Sequence, residues 1–335
     1  MKNRILRVIA FVTASAMVLE EGSYGQTDIL HEVQVTYQKK QSRDTLRIRD
    51  SQTASKEELF PLCFMNHSSL TKTLQSQWCI KHLKDAGPLM DHYALMADGK
   101  MIEGELYEEQ RGTDDYLAQH KEYQRYDFIS EGDTPSFLYL IDTGLSDMEH
   151  PAYGGWGRRF EMDEKGICRN TALDYNPYTQ RYEAQYSLSR WFEDIQNDFA
   201  ARIQWGQSAD ESSVSHYPRF QMAQPFHITA SCNQVITLKV KTDGNVSWFH
   251  YHECDIRKRR TELKHEKLMI SDLQIDEIAQ GTPTIISLEN ADSHTITFTV
   301  PDDLSSGDTI HIITIISSHD PIPLKRYART IITIE

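Results

Sequence analysis

The 335-residue chain lacks the short motifs that mark several common enzyme classes. It has no GxSxG nucleophile elbow, no P-loop and no GxGxxG turn, so those hydrolases, nucleotide-binding enzymes and dinucleotide-dependent enzymes have no support in the sequence. Three His-Glu pairs begin at His31, His252 and His265, but each lacks the second histidine that a zinc-binding helix carries one turn later. The search for catalytic motifs is therefore largely negative.

Positive charge and cysteine are also scarce. Lys and Arg number 35 against 49 Asp and Glu, which gives a formal net charge of −14. An acidic surface repels phosphate backbones and anionic lipids, so nucleic-acid and membrane partners are disfavoured, whereas neutral ligands such as sugars are compatible. The 5 cysteines form no CxxC pair. We expect mostly free, buried thiols, although an oxidising compartment would permit one or two disulfides.

Long apolar runs are nearly absent. The exception is the run 8–19, which follows the basic residues Lys2, Arg4 and Arg7 and is followed by small residues before Gln26. This order predicts a secretory signal peptide, and hence a secreted or periplasmic protein after cleavage near Gln26. No second stretch approaches the roughly 18 apolar residues of a membrane span.

The most informative segment is EGDTPSFLYLIDTGLSDMEHPAYGGWGRRF, which follows a short strand predicted at residues 126–130. Asp133 or Thr134 is suited to cap a helix whose first position would be Pro135. Gly144 would end that helix in the left-handed conformation. The segment therefore predicts a strand, a turn and a helix.

The turn of that unit carries two carboxylates, Glu131 and Asp133. Ligands of open α/β sheets bind at the carboxyl ends of strands, where this turn would lie, so the pair is a candidate site. The alternative is simple capping, because aspartate also suits a helix N-terminus. Both interpretations stay open at this stage.

The glycine-rich tail PAYGGWGRRF forms a second candidate. Its three glycines surround Trp156, and glycine lets a backbone approach a ligand closely because it has no Cβ. Tyr153 and Trp156 could stack on sugar rings, since an aromatic face covers apolar C–H surface. A tight surface turn explains the same residues equally well.

This segment, with RWFEDIQNDFAARIQW (190–205), HYP (216–218) and TIHIITIISSHDPIPLKRYARTIIT (309–333), resembles a bacterial secreted family described as cellulose-binding. Members join a nucleoside-hydrolase-like domain to an immunoglobulin-like C-terminal domain. The resemblance covers about residues 76–335, and His216 keeps the place of a family histidine at the domain junction. Nothing like DxDxxxDD occurs between Gln26 and Gln75, so the N-terminal half of the hydrolase-like domain is expected to be missing.

The resemblance and the periodicity together predict the domain organisation. We expect a signal peptide at 1–25, a divergent segment at 26–66, the C-terminal part of a nucleoside-hydrolase-like, Rossmann-like α/β domain at 67–218, and an immunoglobulin-like β-sandwich at 219–335. In the last domain hydrophobic residues alternate in about seven short runs, as in a sandwich. These runs are 226–231, 235–241, 246–252, 284–288, 294–300, 309–317 and 326–334.

Helical periodicity precedes the sandwich. The cleanest predicted helix spans 188–205, with an apolar stripe opposite a polar side that holds Asp194 and Asp198. Another is predicted from Ser68 to Gly87. In the sandwich, Trp248 is expected in the core.

The leading functional prediction is glycan binding, for example to cellulose, by a secreted protein. The candidate ligand-binding residues are Tyr153, Trp156, Arg158 and His216. The alternative is an active hydrolase of N-glycosyl or glycosidic bonds that would use Glu131, Asp133 and His150, with Ca²⁺ held in part by Asp133 as the resemblance implies. His216 could serve as a general acid or only hydrogen-bond across the domain junction.

One further metal candidate comes from strand alternation. His250, His252 and Cys254 alternate, so on a continuous strand their side chains would share one face and could bind zinc or copper. Ordinary polar residues at a strand end are the competing explanation.

Overall fold

The computed structural model describes residues 32–39, 42–49, 76–87, 90–100, 110–121, 123–129, 138–162, 166, 168–169, 171–208, 210–258, 264–271 and 274–335. The α-helices in these ranges are α1 (Ser76–His82), α2 (Asp114–Gln119), α3 (Tyr186–Ser189) and α4 (Phe192–Gln207). The strands are β1 (Glu32–Lys39), β2 (Ser42–Arg49), β3 (Glu161–Met162), β4 (Cys168–Arg169), β5 (Asp174–Asn176), β6 (Arg181–Glu183), β7 (Phe220–Met222), β8 (His227–Ala230), β9 (Val235–Thr242), β10 (Asn245–His250), β11 (Lys264–Ser271), β12 (Gln274–Gln280), β13 (Thr295–Thr299), β14 (Thr309–Ser317) and β15 (Lys325–Ile334). The predicted signal peptide at 1–25 lies outside them.

Two sheets in the C-terminal part share one apolar core. The first has the strand order β10-β14-β15-β8, in which β8 runs parallel to β15 and the other pairs are antiparallel. The second is antiparallel, with the order β13-β9-β7. Alternate side chains such as Leu238, Ile296 and Ile312 are buried in this core, as the twofold periodicity requires. Trp248 lies in the same core, which confirms its predicted burial.

Most of the predicted strands of this region are present. Six of the predicted runs correspond to β8, β9, β10, β13, β14 and β15. The run 284–288 forms no strand, although Ile286 is buried in the core. The hairpin β11–β12 was not predicted, and β12 pairs with β6 of the preceding region. The C-terminal region is therefore rich in sheet.

The other face of the first sheet is covered as well. Phe249 and Tyr251 point away from Trp248 and pack with Trp191 and Tyr327 in a second, largely aromatic cluster. This cluster draws on the loop before β3 and on the start of α4. As a result β14 is buried along almost its whole length, and the sheet is a layer between two cores.

The predicted strand at 126–130 is wrong for the residues that are described. Tyr126 has a left-handed backbone (φ 68°), and its N–H donates to the carbonyl of Met96. The Asp127 side chain accepts the N–H of Ser76 at 3.0 Å and that of Gln124 at 2.6 Å. This acid organises a turn, and polar turn chemistry prevails over the short apolar pattern.

The described residues of 67–218 contain only short strands, β3 to β6, of two or three residues each. The strand–helix alternation expected of a Rossmann-like domain is not visible in this described part. What is present is an irregular layer that packs against the first sheet through α3, α4 and the loop before β3.

Helix α4 begins at Phe192, later than predicted, because α3 ends first and a turn separates the two helices. Asp194 and Asp198, predicted on the polar side, are buried. Asp194 accepts a hydrogen bond from the Tyr327 hydroxyl, and Asp198 pairs with Arg202 at 2.5 Å. Hydrophobic periodicity does not distinguish a solvated acid from one whose partner comes from another element.

None of the described helices is both long and apolar enough to cross a membrane. The four described cysteines form no disulfide with one another; Cys79, Cys168 and Cys254 are buried, and Cys232 is half-buried. The predicted burial is thus confirmed for three of these four, while Cys63 lies outside the described residues.

Candidate functional site

The loop after Gly144 packs closely on the last strand. Gly144 has a left-handed φ of 92°, and a Cβ there would lie 2.0 Å from the carbonyl oxygen of Tyr327. At Gly154 (φ 74°) a Cβ would lie 3.1 Å from the Tyr251 hydroxyl. Of the helix predicted before Gly144, the described residues include Leu138, which is helical, but residues 139–143 are not helical, so the prediction that Gly144 ends a helix is wrong. The two glycines thus let the backbone approach β15 and the end of β10, whereas we expected glycines of this segment to approach a ligand.

His150 and Tyr153 lie together on this loop. His150 precedes one turn of 3-10 helix, Pro151–Tyr153, and Tyr153 is the last residue of that turn. Their rings stack with centroids 4.7 Å apart and an interplanar angle of 11°. His150 Nδ1 lies 3.2 Å from Asp147 Oδ2, and the His150 side chain is 52% exposed. Two residues named from the sequence are therefore adjacent and held in place.

A cleft of about 240 Å³ opens beside this pair. The segment 149–153 and Phe160 line it, together with the turn after β10, which contributes Glu253 and Ile256. Met162 lines it as well, and the side chains of Met162 and Ile256 are 58% and 53% exposed. The cleft therefore has a largely apolar rim.

A buried charge network supports the cleft. Asp174 is fully buried; its Oδ1 lies 2.7 Å from Arg159 Nε, and its Oδ2 lies 2.9 Å from Arg190 Nη1. The Tyr251 hydroxyl donates a third hydrogen bond to Oδ2 at 2.7 Å. Burial alone would raise the pKa of Asp174, but the charges of Arg159 and Arg190 hold that pKa below its usual value. Asp174 is thus an ionised acid shared by two arginines.

Glu253 has a different environment from Asp174. Its side chain is 3% exposed, and its Oε1 accepts the N–H of Tyr175 at 2.8 Å and lies 3.7 Å from Arg190 Nη1. Its Oε2 accepts no hydrogen bond, although His252 Nδ1 lies 3.2 Å away. Burial and, second, the charge of Asp174 raise the pKa of Glu253 to about 7. Near neutral pH this carboxyl is present in both protonation states.

The structure does not bring all the predicted ligand residues to the cleft. Trp156 is 1% exposed and packs edge-on against Tyr327 in the aromatic cluster, so as placed it offers no ring face to a ligand. Arg158 has a left-handed backbone (φ 88°) and does not line the cleft. Glu131 and Asp133 lie outside the described residues, so their catalytic and metal-binding roles stay predictions.

His216 lies away from the cleft, in the segment that joins α4 to β7. Its N–H donates to Asp320 Oδ2 at 2.6 Å, and its Nε2 lies within hydrogen-bonding distance of the Glu211 carbonyl at 2.6 Å. These contacts connect the segment to the turn between β14 and β15. They are what the interpretation as a junction residue predicts.

The metal hypothesis for His250, His252 and Cys254 is wrong. Strand β10 ends at His250, and a 3-10 turn over 252–254 breaks the alternation. His250 is buried, with its Nε2 2.9 Å from Asp255 Oδ2, and its Nδ1 accepts the N–H of Ile286 at 2.9 Å. In the part of the chain that the structure describes, no group of three His, Cys, Asp or Glu residues is placed to hold a metal ion.

The described acids do not fit the calcium site that the family resemblance implies. Asp174 and Glu253 interact electrostatically, but Arg159 and Arg190 already supply the positive charge there. A divalent cation would be repelled by these two guanidinium groups. No step involving calcium is therefore assigned to these residues.

Sequence reasoning missed Asp174 and Glu253 as parts of one site. Asp174 begins β5, Glu253 follows β10, and Arg190, which contacts both, lies between α3 and α4. No local spacing links these positions. The one signal was the pair His252–Glu253, which we set aside because it lacks the second histidine of a zinc-binding helix.

Two family models match this chain. Residues 35–160 match the nucleoside hydrolase-like domain of cellulose-binding Sde182, and residues 241–334 match the C-terminal domain of cellulose-binding protein Sde0182. The resemblance inferred from the sequence is confirmed. The first match begins inside the segment 26–66, which we could not place in the family pattern. No curated protein matches the chain.

Among solved structures, the chain is similar to a nucleoside hydrolase-related hypothetical protein from Saccharophagus degradans that is described as associated with carbohydrate metabolism. The two share 22% sequence identity with a TM-score of 0.45, and the match covers 66% of this chain and 54% of that one. This chain thus spans about half the length of that structure. No residue role is taken from it.

Proposed function

We propose that this chain, which belongs to the cellulose-binding Sde182 family by both of its matched domains, is a secreted protein that binds a polysaccharide such as cellulose without hydrolysing it. The observation that carries the proposal is the cleft beside Tyr153. It combines an apolar rim with a buried carboxyl group, Glu253. A sugar ring needs both, because its C–H faces are apolar and its hydroxyls need acceptors.

The charge of the molecule supports a neutral ligand. The net charge of −14 disfavours phosphate backbones and acidic polymers, and cellulose carries no charge. Within the cleft, the Arg159 guanidinium is directed to Asp174, so this cation already has an anionic partner. An uncharged glycan meets no electrostatic penalty at such a surface.

Two structural expectations belong to this proposal. The N-terminal region is a shortened, degenerate nucleoside-hydrolase-like α/β domain, and the C-terminal sheet pair is immunoglobulin-like. The sharing of one core by sheets of four and three strands supports the second expectation. Export depends on the basic start and the apolar run 8–19, with cleavage near Gln26.

Retention on insoluble cellulose tests the proposed function. The full mature chain should be retained at high as well as low salt, because stacking on a neutral sugar is not screened as ion pairs are. A glycan array run alongside identifies other polysaccharides. Absence of binding to cellulose and to every glycan on the array would overturn the proposal and leave a structural role.

A hydrolase of N-glycosyl or glycosidic bonds is the second candidate. It is favoured by one observation, the neighbouring acids Asp174 and Glu253, whose environments move their pKa values in opposite directions. Asp174 is held by two arginines, however, and is poorly placed to act as nucleophile or base. We expect no turnover.

The hydrolase is tested by base release from nucleosides and by new reducing ends from cello-oligosaccharides, with and without calcium. Turnover that disappears in Asp133→Asn and persists in a folded Asp142→Asn control would establish the enzyme and its predicted acid. Loss in Glu253→Gln alone would instead assign the chemistry to the cleft.

A further inference from the structure

We infer that the cleft beside Tyr153 binds one terminal sugar unit of a glycan chain, and that the Glu253 carboxyl accepts a hydrogen bond from a hydroxyl of that unit. This inference rests on the proposed function and deepens it. It names the site, the part of the polymer that is recognised and the residue that provides polar contact.

The size of the cleft indicates a single ring. Its volume of about 240 Å³ lies below the roughly 300–1,000 Å³ of sites for drug-sized ligands. The segment 149–153 and the turn that carries Glu253 and Ile256 both line it, so its lining comes from two separate parts of the chain. A chain end fits such a cleft better than the middle of a long polymer.

The apolar walls suit the faces of a sugar ring. Tyr153 and Phe160 are the buried part of the lining, 9% and 4% exposed, and neighbouring rings hold them in place: Tyr153 stacks on His150, and Phe160 makes an edge contact with Tyr139 at 5.6 Å between centroids. The exposed apolar surface is that of Met162 and Ile256. Met162 at the rim is unbranched and adapts its shape to a ligand. Such rigid walls with an adaptable rim bind a ring at low cost in conformational entropy.

Glu253 has an unused acceptor at this cleft. The Tyr175 N–H fixes Oε1, and Oε2 accepts no hydrogen bond even though it is buried. A buried acceptor without a donor is unfavourable, so a sugar hydroxyl that reaches it provides the missing hydrogen bond.

Protonation of Glu253 links binding to pH. The carboxylate form accepts a charge-assisted hydrogen bond, which is stronger than a bond to the neutral acid. Affinity should therefore rise as the pH rises through about 7, the value to which burial raises the pKa of Glu253. The titratable and charged groups around it are Arg159, Asp174, Tyr182, Tyr186, Arg190, His252 and Cys254.

The experiment is calorimetric titration of the full chain with glucose, cellobiose and cellotetraose, followed by variants. The three sugars should bind with similar affinity, because only the terminal unit enters the cleft. Glu253→Gln should weaken binding about tenfold, as expected when a charge-assisted hydrogen bond becomes neutral. Ile256→Ala and Met162→Ala, at exposed positions where folding is not at risk, should weaken it a few-fold. Glu289→Gln, at an exposed position in the second sheet region, should bind as the wild type does.

Three results would overturn the inference. The first is affinity that climbs steadily with chain length, which indicates an open groove. The second is unchanged binding in Glu253→Gln and in both rim variants. The third is a pH dependence that survives Glu253→Gln and disappears in His150→Gln. Equal retention of the wild type and the variants on cellulose would leave the proposed function standing and refute the assignment to the cleft. Absence of retention of the wild type would refute the proposed function itself.

Discussion

The two faces of the sheet β10-β14-β15-β8 are buried by different chemistry. One face packs Val246, Ile312 and Ile332 against the second sheet, and its contacts are almost entirely aliphatic. The other packs Tyr251 and Tyr327 against α3, α4 and the loop before β3, with buried acids and arginines among the rings. The same strands thus supply two cores with opposite requirements.

The two faces differ in how strictly each contact requires particular side chains. An aliphatic core tolerates exchange between side chains of similar volume, since its interactions have no direction. A buried ion pair has direction and charge, so removing one partner leaves the other uncompensated. We therefore expect substitutions on the polar face to have larger effects than volume changes on the aliphatic face.

Asp174→Asn should have the largest effect. The substitution keeps the shape but removes the charge shared by Arg159 and Arg190, which are themselves buried. We expect a loss of about 3–5 kcal/mol in the free energy of unfolding. Urea denaturation measures it, with the exposed Asp303→Asn as matched control. A loss no larger than that of the control would show that the two faces do not differ as proposed.

Tyr327→Phe should have the second largest effect. Its hydroxyl donates to Asp194 Oδ2 and accepts the indole N–H of Trp156 at 3.4 Å. Removing it leaves a buried acceptor and a buried donor with fewer partners, and we expect a loss of about 1–3 kcal/mol. Tyr178→Phe, at a side chain that is 59% exposed, should change stability by less than about 0.5 kcal/mol. Equal effects at the two tyrosines would contradict the role given to the Tyr327 hydroxyl.

Glu253→Gln should make the protein more sensitive to acid. Burial and the charge of Arg329 lower the pKa of His311 to about 2, and burial and His250 lower that of His252 to about 3. Below about pH 6.5 the histidines of the unfolded chain therefore bind protons that these two buried histidines of the folded chain do not bind. The free energy of unfolding consequently decreases as the pH is lowered. The effect of Glu253 on the pH dependence of stability has the opposite sign, because its pKa in the folded chain, about 7, exceeds its pKa in the unfolded chain.

The contribution of Glu253 is thus present at low pH and is lost as the pH rises through about 7. In Glu253→Gln this contribution is absent, so nothing from Glu253 offsets the loss of stability that His252 and His311 cause at low pH. Between about pH 7.5 and 5.5 we expect Glu253→Gln to lose about 1–2 kcal/mol more than the wild type. Urea unfolding of both proteins at the two pH values tests this, and identical pH responses would refute it.

Ile312→Val should have the smallest effect of the four. Ile312 is fully buried on the aliphatic face, so the change removes one methyl group and leaves a small cavity. The expected loss is about 0.5–1.5 kcal/mol. The same substitution at Ile285, which is 59% exposed, is the control. A loss above that of Asp174→Asn would reverse the order of the two faces.

The aliphatic face was predictable to a large extent. Alternation predicted the positions of β9, β13, β14 and β15, because the period of a strand is a local property. The burial of Trp248 was predicted from the expected sandwich architecture. The polar face was not predictable. Asp194 and Asp198 were assigned to the polar side of a helix, since periodicity registers polarity and carries no information about the partner.

The candidate site divides in the same way. His150 was named from the sequence as a residue of the alternative hydrolase and Tyr153 as an aromatic ligand residue. The structure places both at the cleft, since they share one short loop. Glu253 was missed as an acid of this site because its neighbours Asp174 and Arg190 come from distant segments. Trp156 was predicted to bind a ligand, yet it packs against Tyr327, a residue 171 positions away.

The sequence by itself determined the family, the sheet-rich C-terminal region and the residues of the glycine-rich loop. These follow from local order: strand period, glycine spacing and residue type. Only the tertiary structure decided which acids are buried, which of them is held ionised by Arg159 and Arg190, and where a cleft opens between His150 and Glu253. The reason is physical. Burial and charge pairing depend on distances between groups far apart along the chain, and those distances exist only after the sheet has brought its two faces against different partners.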